Sequence, residues 1–269
     1  MLYKLTKLFK IVFGNKIYNF VKSLILNVIK FFNLKKLNYN VKKDLEFNEN
    51  ILSKIFEGYD KYEISKLLNL RNLSYFDENI SWHYHLFSCL QDNVKNILEI
   101  GTFKGEFTNY LAELYPSSKI STIDLKKEDE QFKNTYNRNS FKNLSEYIKI
   151  RDLNLKKENI NFIEMDSFNL IECFQDIKFD AIWIDGDHID PQVTIDIFSA
   201  YKLLSKNGIL VCDDVVKDSF KTEYVNNDSY NTLNFFEKKK LIKNSYILKR
   251  VTRENYINKK YISISQKIH

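Results

Sequence analysis

Glycine is scarce in this chain, with six among 269 residues, and it stands beside only two prolines and three cysteines. Glycine persists where the backbone needs a positive φ or where another group must come close. Against this background each glycine marks a backbone requirement. The cysteines, Cys89, Cys173 and Cys212, lie far apart and form no Cys-x-x-Cys. They point to neither a disulfide framework nor a zinc site, and read as buried free thiols of a reducing compartment. No uncharged run approaches the ~20 residues a spanning helix needs, and no small-residue cleavage site marks a secretory signal. The expected location is cytoplasmic. Acid is missing from one region altogether, because residues 1–43 hold ten lysines and no Asp or Glu. The remainder, with 31 basic and 35 acidic residues, is mildly acidic. The overall excess of Lys, Asn and Ile reads as a coding bias, which weakens any argument from net charge alone.

What is present falls into three parts: a basic arm over 1–45, a helical cap over 46–92 and an α/β domain over 93–269. The arm reads as two amphipathic helices broken at Gly14-Asn15. Leu5, Leu8, Phe9 and Val12 line one face, and Ile17, Val21, Leu24, Ile25, Val28 and Phe32 continue the spacing. Such a segment suits an anionic membrane surface, here the inner face of the cell membrane, or packing on the body or a second subunit. Residues 46–92 read as helices. From 93 the pattern alternates, with strands expected at 94–100, 119–124, 161–165, 179–185 and 208–213. Helices are expected near 105–115, 138–150, 167–175 and 192–205, which makes βαβ units on a mostly parallel sheet. A helix near 230–240 precedes two runs, 245–251 and 260–265, that read as an antiparallel hairpin. Residues 126–160 form a long, charged connection, and the stretch 124–138 is able to fold over a substrate or is a solvated charged loop.

The residues that carry chemistry cluster at strand ends. Glu99-x-Gly101-Thr102-x-x-Gly105 follows the first strand and leads into a helix. That order places backbone N–H groups where polar atoms of a ligand can sit. Glu99 itself would balance a cationic group or orient the turn. Asp124 ends the second strand, where an acid accepts hydrogen bonds from ribose hydroxyls, or is only a solvated carboxylate. Asp166 and Ser167 follow the third strand, facing an adenine or capping a helix. The fourth strand ends in Asp185-Gly186-Asp187-His188, and the fifth, after Asn207-Gly208, in Cys212-Asp213-Asp214. So many carboxylates at one edge repel unless a cation or proton intervenes. Oxygen ligands suit Mg2+, with Asp185, Asp213 and Asp214 as candidate ligands. His188 suits a general base, since imidazole titrates near neutrality. His83 and His85, two apart on a helix, make a poor metal pair and read as aromatic packing.

In combination these motifs over roughly residues 80–215 resemble the class I S-adenosylmethionine-dependent methyltransferases, in particular their small-molecule and sugar O-methyltransferase branch. The resemblance implies a Rossmann-like α/β fold: a seven-stranded, mostly parallel sheet with an antiparallel C-terminal hairpin, helices on both faces and a helical N-terminal extension. It implies S-adenosyl-L-methionine as cofactor, held by Gly101, Thr102 and Gly105 at the methionine end. Asp124 would take the ribose and Asp166 with Ser167 the adenine. Asp185 and His188 would be catalytic, and Asp185 would also border the cofactor. A metal-dependent form of the reaction would place Mg2+ on Asp185, Asp213 and Asp214.

The expected partner is a small-molecule or saccharide acceptor, with membrane contact through residues 1–43 and no nucleic acid. Outside the arm the chain is net acidic, which disfavours phosphate-backbone attraction, and no Asn-Pro-Pro-aromatic motif is present. A nicotinamide oxidoreductase requires a tighter glycine spacing than Gly101 and Gly105 give. A non-catalytic module tethered by its basic arm keeps the fold without needing acids at every strand end.

Overall fold

The computed structural model describes residues 41–69, 82–90, 94–136, 138–217, 226–252 and 258–268. Residues 1–40, on which the amphipathic-arm expectation falls, lie outside the described residues. Three helices lead: α1 (Val41–Ile55), α2 (Lys61–Asn69) and α3 (His83–Phe87). The alternating part runs β1 (Asn96–Ile100), α4 (Glu106–Leu114), β2 (Lys119–Asp124), α5 (Glu130–Asn134), α6 (Phe141–Asn154) and β3 (Ile160–Glu164). After a 3-10 turn at Ser167–Asn169 come α7 (Leu170–Cys173), β4 (Phe179–Ile184), α8 (Gln192–Leu203) and β5 (Leu204–Val215). The chain closes with α9 (Asp228–Lys238), β6 (Ile242–Thr252) and β7 (Asn258–Lys267). The sheet order is β3-β2-β1-β4-β5-β7-β6. Pairs among β1 to β5 are parallel, and β7 runs antiparallel to both β5 and β6.

Strands of this sheet are apolar on both sides because both faces are covered. Alternate residues of one strand therefore enter different cores. Leu98, Ile182, Ile184 and Leu210 pack with Val193 and Ile197 of α8 and Leu233 of α9. Their neighbours Ile97, Ala181, Trp183 and Val211 pack instead with Leu52 of α1, Leu86 of α3 and Leu111 of α4. Each fully buried Leu or Ile contributes about 1.5–3 kcal/mol, so neither face is dispensable. The segment expected as a cap is thus part of this second core. Helix α1 begins before the boundary placed at 45/46, and Asn48 ties it to β6 by donating to and accepting from the Leu248 backbone at 2.8 and 2.7 Å.

The connection over 126–160 holds α6, where a helix was expected near 138–150, and a further short helix, α5, with Asp129 and Ser140 accepting backbone N–H groups as N-caps. One expectation needs correction. Cys173 is exposed, where all three thiols were expected buried; Cys212 is buried and Cys89 half-buried. The short α7 turns Cys173 outward, away from the sheet.

The turn after β1 decides how closely β1 and β4 meet. Gly101 has φ +98°, and a Cβ there would overlap the Asp185 backbone carbonyl. The same contact is closed by the Asp185 N–H donating to the Ile100 carbonyl at 2.8 Å. Gly101→Ala should therefore destabilise the fold by about 3 kcal/mol, from the strained backbone and the overlap. Urea unfolding of the variant measures this; wild-type stability would contradict the close approach.

Candidate active site at the carboxyl edge of the sheet

The ends of β1, β2, β4 and β5 bring Gly101, Asp124, Asp185, His188, Asp213 and Asp214 to one edge, which is where open α/β sheets bind ligands. Their individual surroundings differ from simple expectation. The glycine turn spends its N–H groups internally: Gly101 and Thr102 donate to Ile123 O, Phe103 to Asp124 and Gly105 to Thr102 O. Its role is to shape the edge rather than to offer those donors. Thr102 Oγ1 pairs with Thr122 Oγ1 at 2.7 Å. Gly105 (φ +71°) makes room for α6, since a Cβ there would stand 2.9 Å from Leu155 Cδ2.

Glu99 is a clamp. Its Oε2 accepts from Thr108 of α4 and, at 2.6 Å, from Thr122, its register partner on β2. Burial pushes its pKa up to about 8 against these two hydrogen bonds, so at neutral pH it is largely a neutral acid. This agrees with the turn-orienting role and leaves its charge unavailable to balance a cation.

Asp124 is the acid at the β2 end. It accepts from Phe103 N–H at 3.2 Å and Leu125 N–H at 2.8 Å, and burial raises its pKa despite those bonds and the nearby Arg138. A carboxylate has about four acceptor positions, so capacity for two ligand hydroxyls remains. Asp166 caps the 3-10 turn by accepting from Phe168 N–H at 2.9 Å. Ser167 accepts from Gln192 of α8, and Gln192 also donates to Asp196 at 3.0 Å.

Asp185 and His188 form the catalytic candidate pair, with His188 Nε2 3.5 Å from Asp185 Oδ1. Asp185 keeps 40% of its side chain accessible, so its carboxylate is open to a ligand. Burial favours the neutral imidazole, but the Asp185 contact and the Asp213 and Asp214 charges outweigh it and hold His188 above its ordinary pKa. Its Nδ1 is buried without a hydrogen-bond partner. His83 packs flat on Trp183 at 4.8 Å and edge-on to Phe107. Burial lowers its pKa to about 3, so it is a neutral wall, and the packing role expected of it holds.

The expected Mg2+ ligands have another partner. Lys249 of β6 contacts Asp213 Oδ2 and lies 2.9 Å from Asp214 Oδ1, and Lys260 of β7 contacts Asp214 Oδ2. Asp214 is held well below the usual carboxylate range by these ammonium groups, against its burial. The cation demanded by the acidic edge is therefore an amine. Three of the four Asp213 and Asp214 oxygens are engaged by lysines, so this donor set does not fit a divalent ion. Among the described residues no group of three or more His, Cys, Asp or Glu is arranged to hold a metal.

Sequence reasoning also missed a roof. Tyr136, largely exposed, meets Phe103 at 5.0 Å, and Arg138 lies over Phe132 at 3.8 Å and Tyr147 at 4.7 Å. Burial, and after it the Asp185 charge, raises the pKa of the Tyr136 hydroxyl. Phe103 and Tyr136 have φ of 48° and 52°; such left-handed non-glycine residues concentrate at functional sites. The sequence signal for Tyr136 was membership of the connection expected to cover a substrate; Phe103 lies in the glycine turn.

Residues 98–215 match a family model described as a methyltransferase domain. No curated protein matches the chain. Among solved structures, the O-methyltransferase from Bacillus cereus in complex with SAH is 18% identical, with 85% of this chain and 100% of that one covered at a TM-score of 0.48. The O-methyltransferase TomG from Streptomyces achromogenes, involved in tomaymycin synthesis and in complex with SAM, is 15% identical over 82% and 96% at 0.48. At these scores the likeness adds nothing to the fold, which stands on its strand order. The matched residues run from β1 to the end of β5 and carry the acids at the strand ends; they are similar to a methyltransferase domain.

Glu99 gives a pH signature. Its folded pKa of about 8 lies above the ordinary 4.5. The folded state thus holds a proton that the unfolded chain releases, and stability falls as pH rises between those values. Glu99→Gln should keep the fold and flatten that decline in melting temperature. A slope identical to wild type would refute the clamp's charge state.

Proposed function

We propose that the protein transfers the methyl group of S-adenosyl-L-methionine to a hydroxyl of a small molecule or saccharide. The observation that carries this reading is the Asp185–His188 pair at the strand end beside Gly101, with Asp124 one strand further on. Asp124, with acceptor capacity left, is the residue for the cofactor's ribose. Asp166 and Ser167 border the adenine end, and the Gly101–Gly105 turn borders the methionine end through its shape. When bound, the cofactor supplies an electrophilic methyl on a sulfonium sulfur.

His188 acts as general base. In its neutral form, with Nε2–H turned to Asp185, the other ring nitrogen, Nδ1, takes the hydroxyl proton as the new C–O bond forms and the S–C bond breaks, leaving S-adenosylhomocysteine and a methyl ether. Asp185 orients the ring and stabilises the imidazolium so formed. Trp183, Phe107 and the neutral His83 make an apolar wall beside the pair, which favours a fixed, in-line approach. Nothing in the edge resembles a phosphate-binding groove, so a nucleic acid is not the acceptor we favour. The +10 charge of residues 1–43 supports a place on the inner face of the cell membrane. Co-sedimentation with anionic but not neutral vesicles is the expected result; no sedimentation with either refutes it.

Asp124→Ala should weaken S-adenosylhomocysteine binding by roughly tenfold to a hundredfold through the loss of charged hydrogen bonds, measured by calorimetry on folded protein. Unchanged affinity removes Asp124 from the site. His188→Ala should lower kcat by about 10²- to 10⁴-fold without changing cofactor affinity. Because the base must be neutral and its pKa is raised from 6.5, the wild-type rate should climb with pH to a midpoint above that value. A flat profile, or a normal rate in the variant, sinks the base role.

A further inference from the structure

The register of the last three strands breaks twice at one level. Between Cys212↔Ser263 and Val215↔Tyr261, β5 advances three residues while β7 advances two. Between Leu248↔Tyr261 and Arg250↔Lys260, β6 advances two residues while β7 advances one. Both are β-bulges, flanking Tyr261 on opposite sides of β7. One frees Asp213 and Asp214, with Asp214 in the left-handed region at φ 48°; the other frees Lys249. Bulges beside active sites re-aim side chains. Here they bring an amine on β6 to a carboxylate pair on β5, across the intervening strand. The meeting is deeply enclosed, since the Lys249 side chain is 8% accessible and that of Asp213 2%.

Such an arrangement is expensive unless something holds it, because desolvating a charged triad costs several kcal/mol per ion before the mutual attraction is counted. A salt bridge serving stability alone could sit anywhere on the surface. This one sits at the end of β5, next to the strand that delivers Asp185 and His188, where the repulsion among carboxylates must be neutralised.

We propose that Lys249 is the resident cation of the methyltransferase edge. Its ammonium takes the place a divalent ion would need, it positions Asp213 and Asp214, and the enzyme works without a metal. The proposal deepens the reading of this edge as the methyl-transfer site, and its test needs no turnover. Removing the amine leaves Asp213 without its cation, Asp214 with Lys260 alone and Asp185 with His188 alone, around a gap of ammonium size. Oxygen donors of that kind suit a hard divalent cation that retains part of its water shell.

The experiment is a calorimetric titration of full-length wild type and Lys249→Ala with Mn2+, beside melting temperatures in EDTA and in Mg2+. Wild type should give no saturable Mn2+ binding, the same melting temperature in both buffers, and the same S-adenosylhomocysteine affinity. Lys249→Ala should melt lower than wild type in EDTA, bind one Mn2+ and recover part of its melting temperature in Mg2+. Saturable Mn2+ binding by wild type overturns the proposal, as does a Lys249→Ala protein indifferent to both metals. Should Lys249→Ala not fold, the wild-type titration still decides, and Lys249→Ala/Asp213→Asn, with one charge of each sign removed, should fold and melt above the single variant. A double variant no more stable than the single one counts against the lysine as the balancing charge. Loss of S-adenosylhomocysteine binding by wild type itself would instead refute the methyltransferase reading, leaving the metal result to be judged separately.

Discussion

A side chain at position 101 would collide with the backbone carbonyl of Asp185, and the rest of the edge depends on that contact being open. It lets the ends of β1 and β4 close on one another, with the Asp185 N–H reaching Ile100. Asp185 then emerges exposed at the strand end, and the turn after it brings His188 Nε2 back to within 3.5 Å of the carboxylate. On the other side of β1 the same turn places Phe103 N–H on Asp124. One missing Cβ thus sets the spacing between the acid of β2 and the acid–histidine pair of β4. Beneath it, the buried Glu99 joins β1 to β2 and α4 and keeps the turn from shifting.

Electrostatics couples the C-terminal hairpin to this edge. Asp185, Asp213 and Asp214 would repel if left together, and the charge that relieves them comes from β6 and β7, the antiparallel strands. Lys249 and Lys260 therefore connect hairpin and site in one network, while His188 feels the same carboxylates and is held toward its protonated form. The hairpin is more than a closing edge of the sheet: it supplies the positive charge.

Much of the architecture was legible because strands buried on both faces read as continuous apolar runs between turn signals. The runs 181–184 and 209–212 are unbroken and too short to carry a helix period. Strand-end acids were legible too, since Asp124, Asp185, Asp213 and Asp214 each interrupt an apolar run at its end. The counter-charges were not. Lys249 and Lys260 sit in a chain with 41 Lys and Arg, where one more lysine carries no signal, and the bulges that aim them arise from strand pairing rather than from local pattern. The glycine turn lies between β1 and α4. Gly105 serves the packing of Leu155, and the N–H groups of Gly101, Thr102 and Phe103 go to the end of β2, which no local pattern declares. Tyr136 was hidden for a similar reason, because a ring in a charged connection declares its position only once α5 and α6 are in place.

The measurement that bears most directly on the account is calorimetric titration of the purified, folded protein with S-adenosylhomocysteine, with NADH as control. The account predicts saturable binding of S-adenosylhomocysteine at one site and none of NADH. Absence of S-adenosylhomocysteine binding, or binding of NADH in its place, would contradict it.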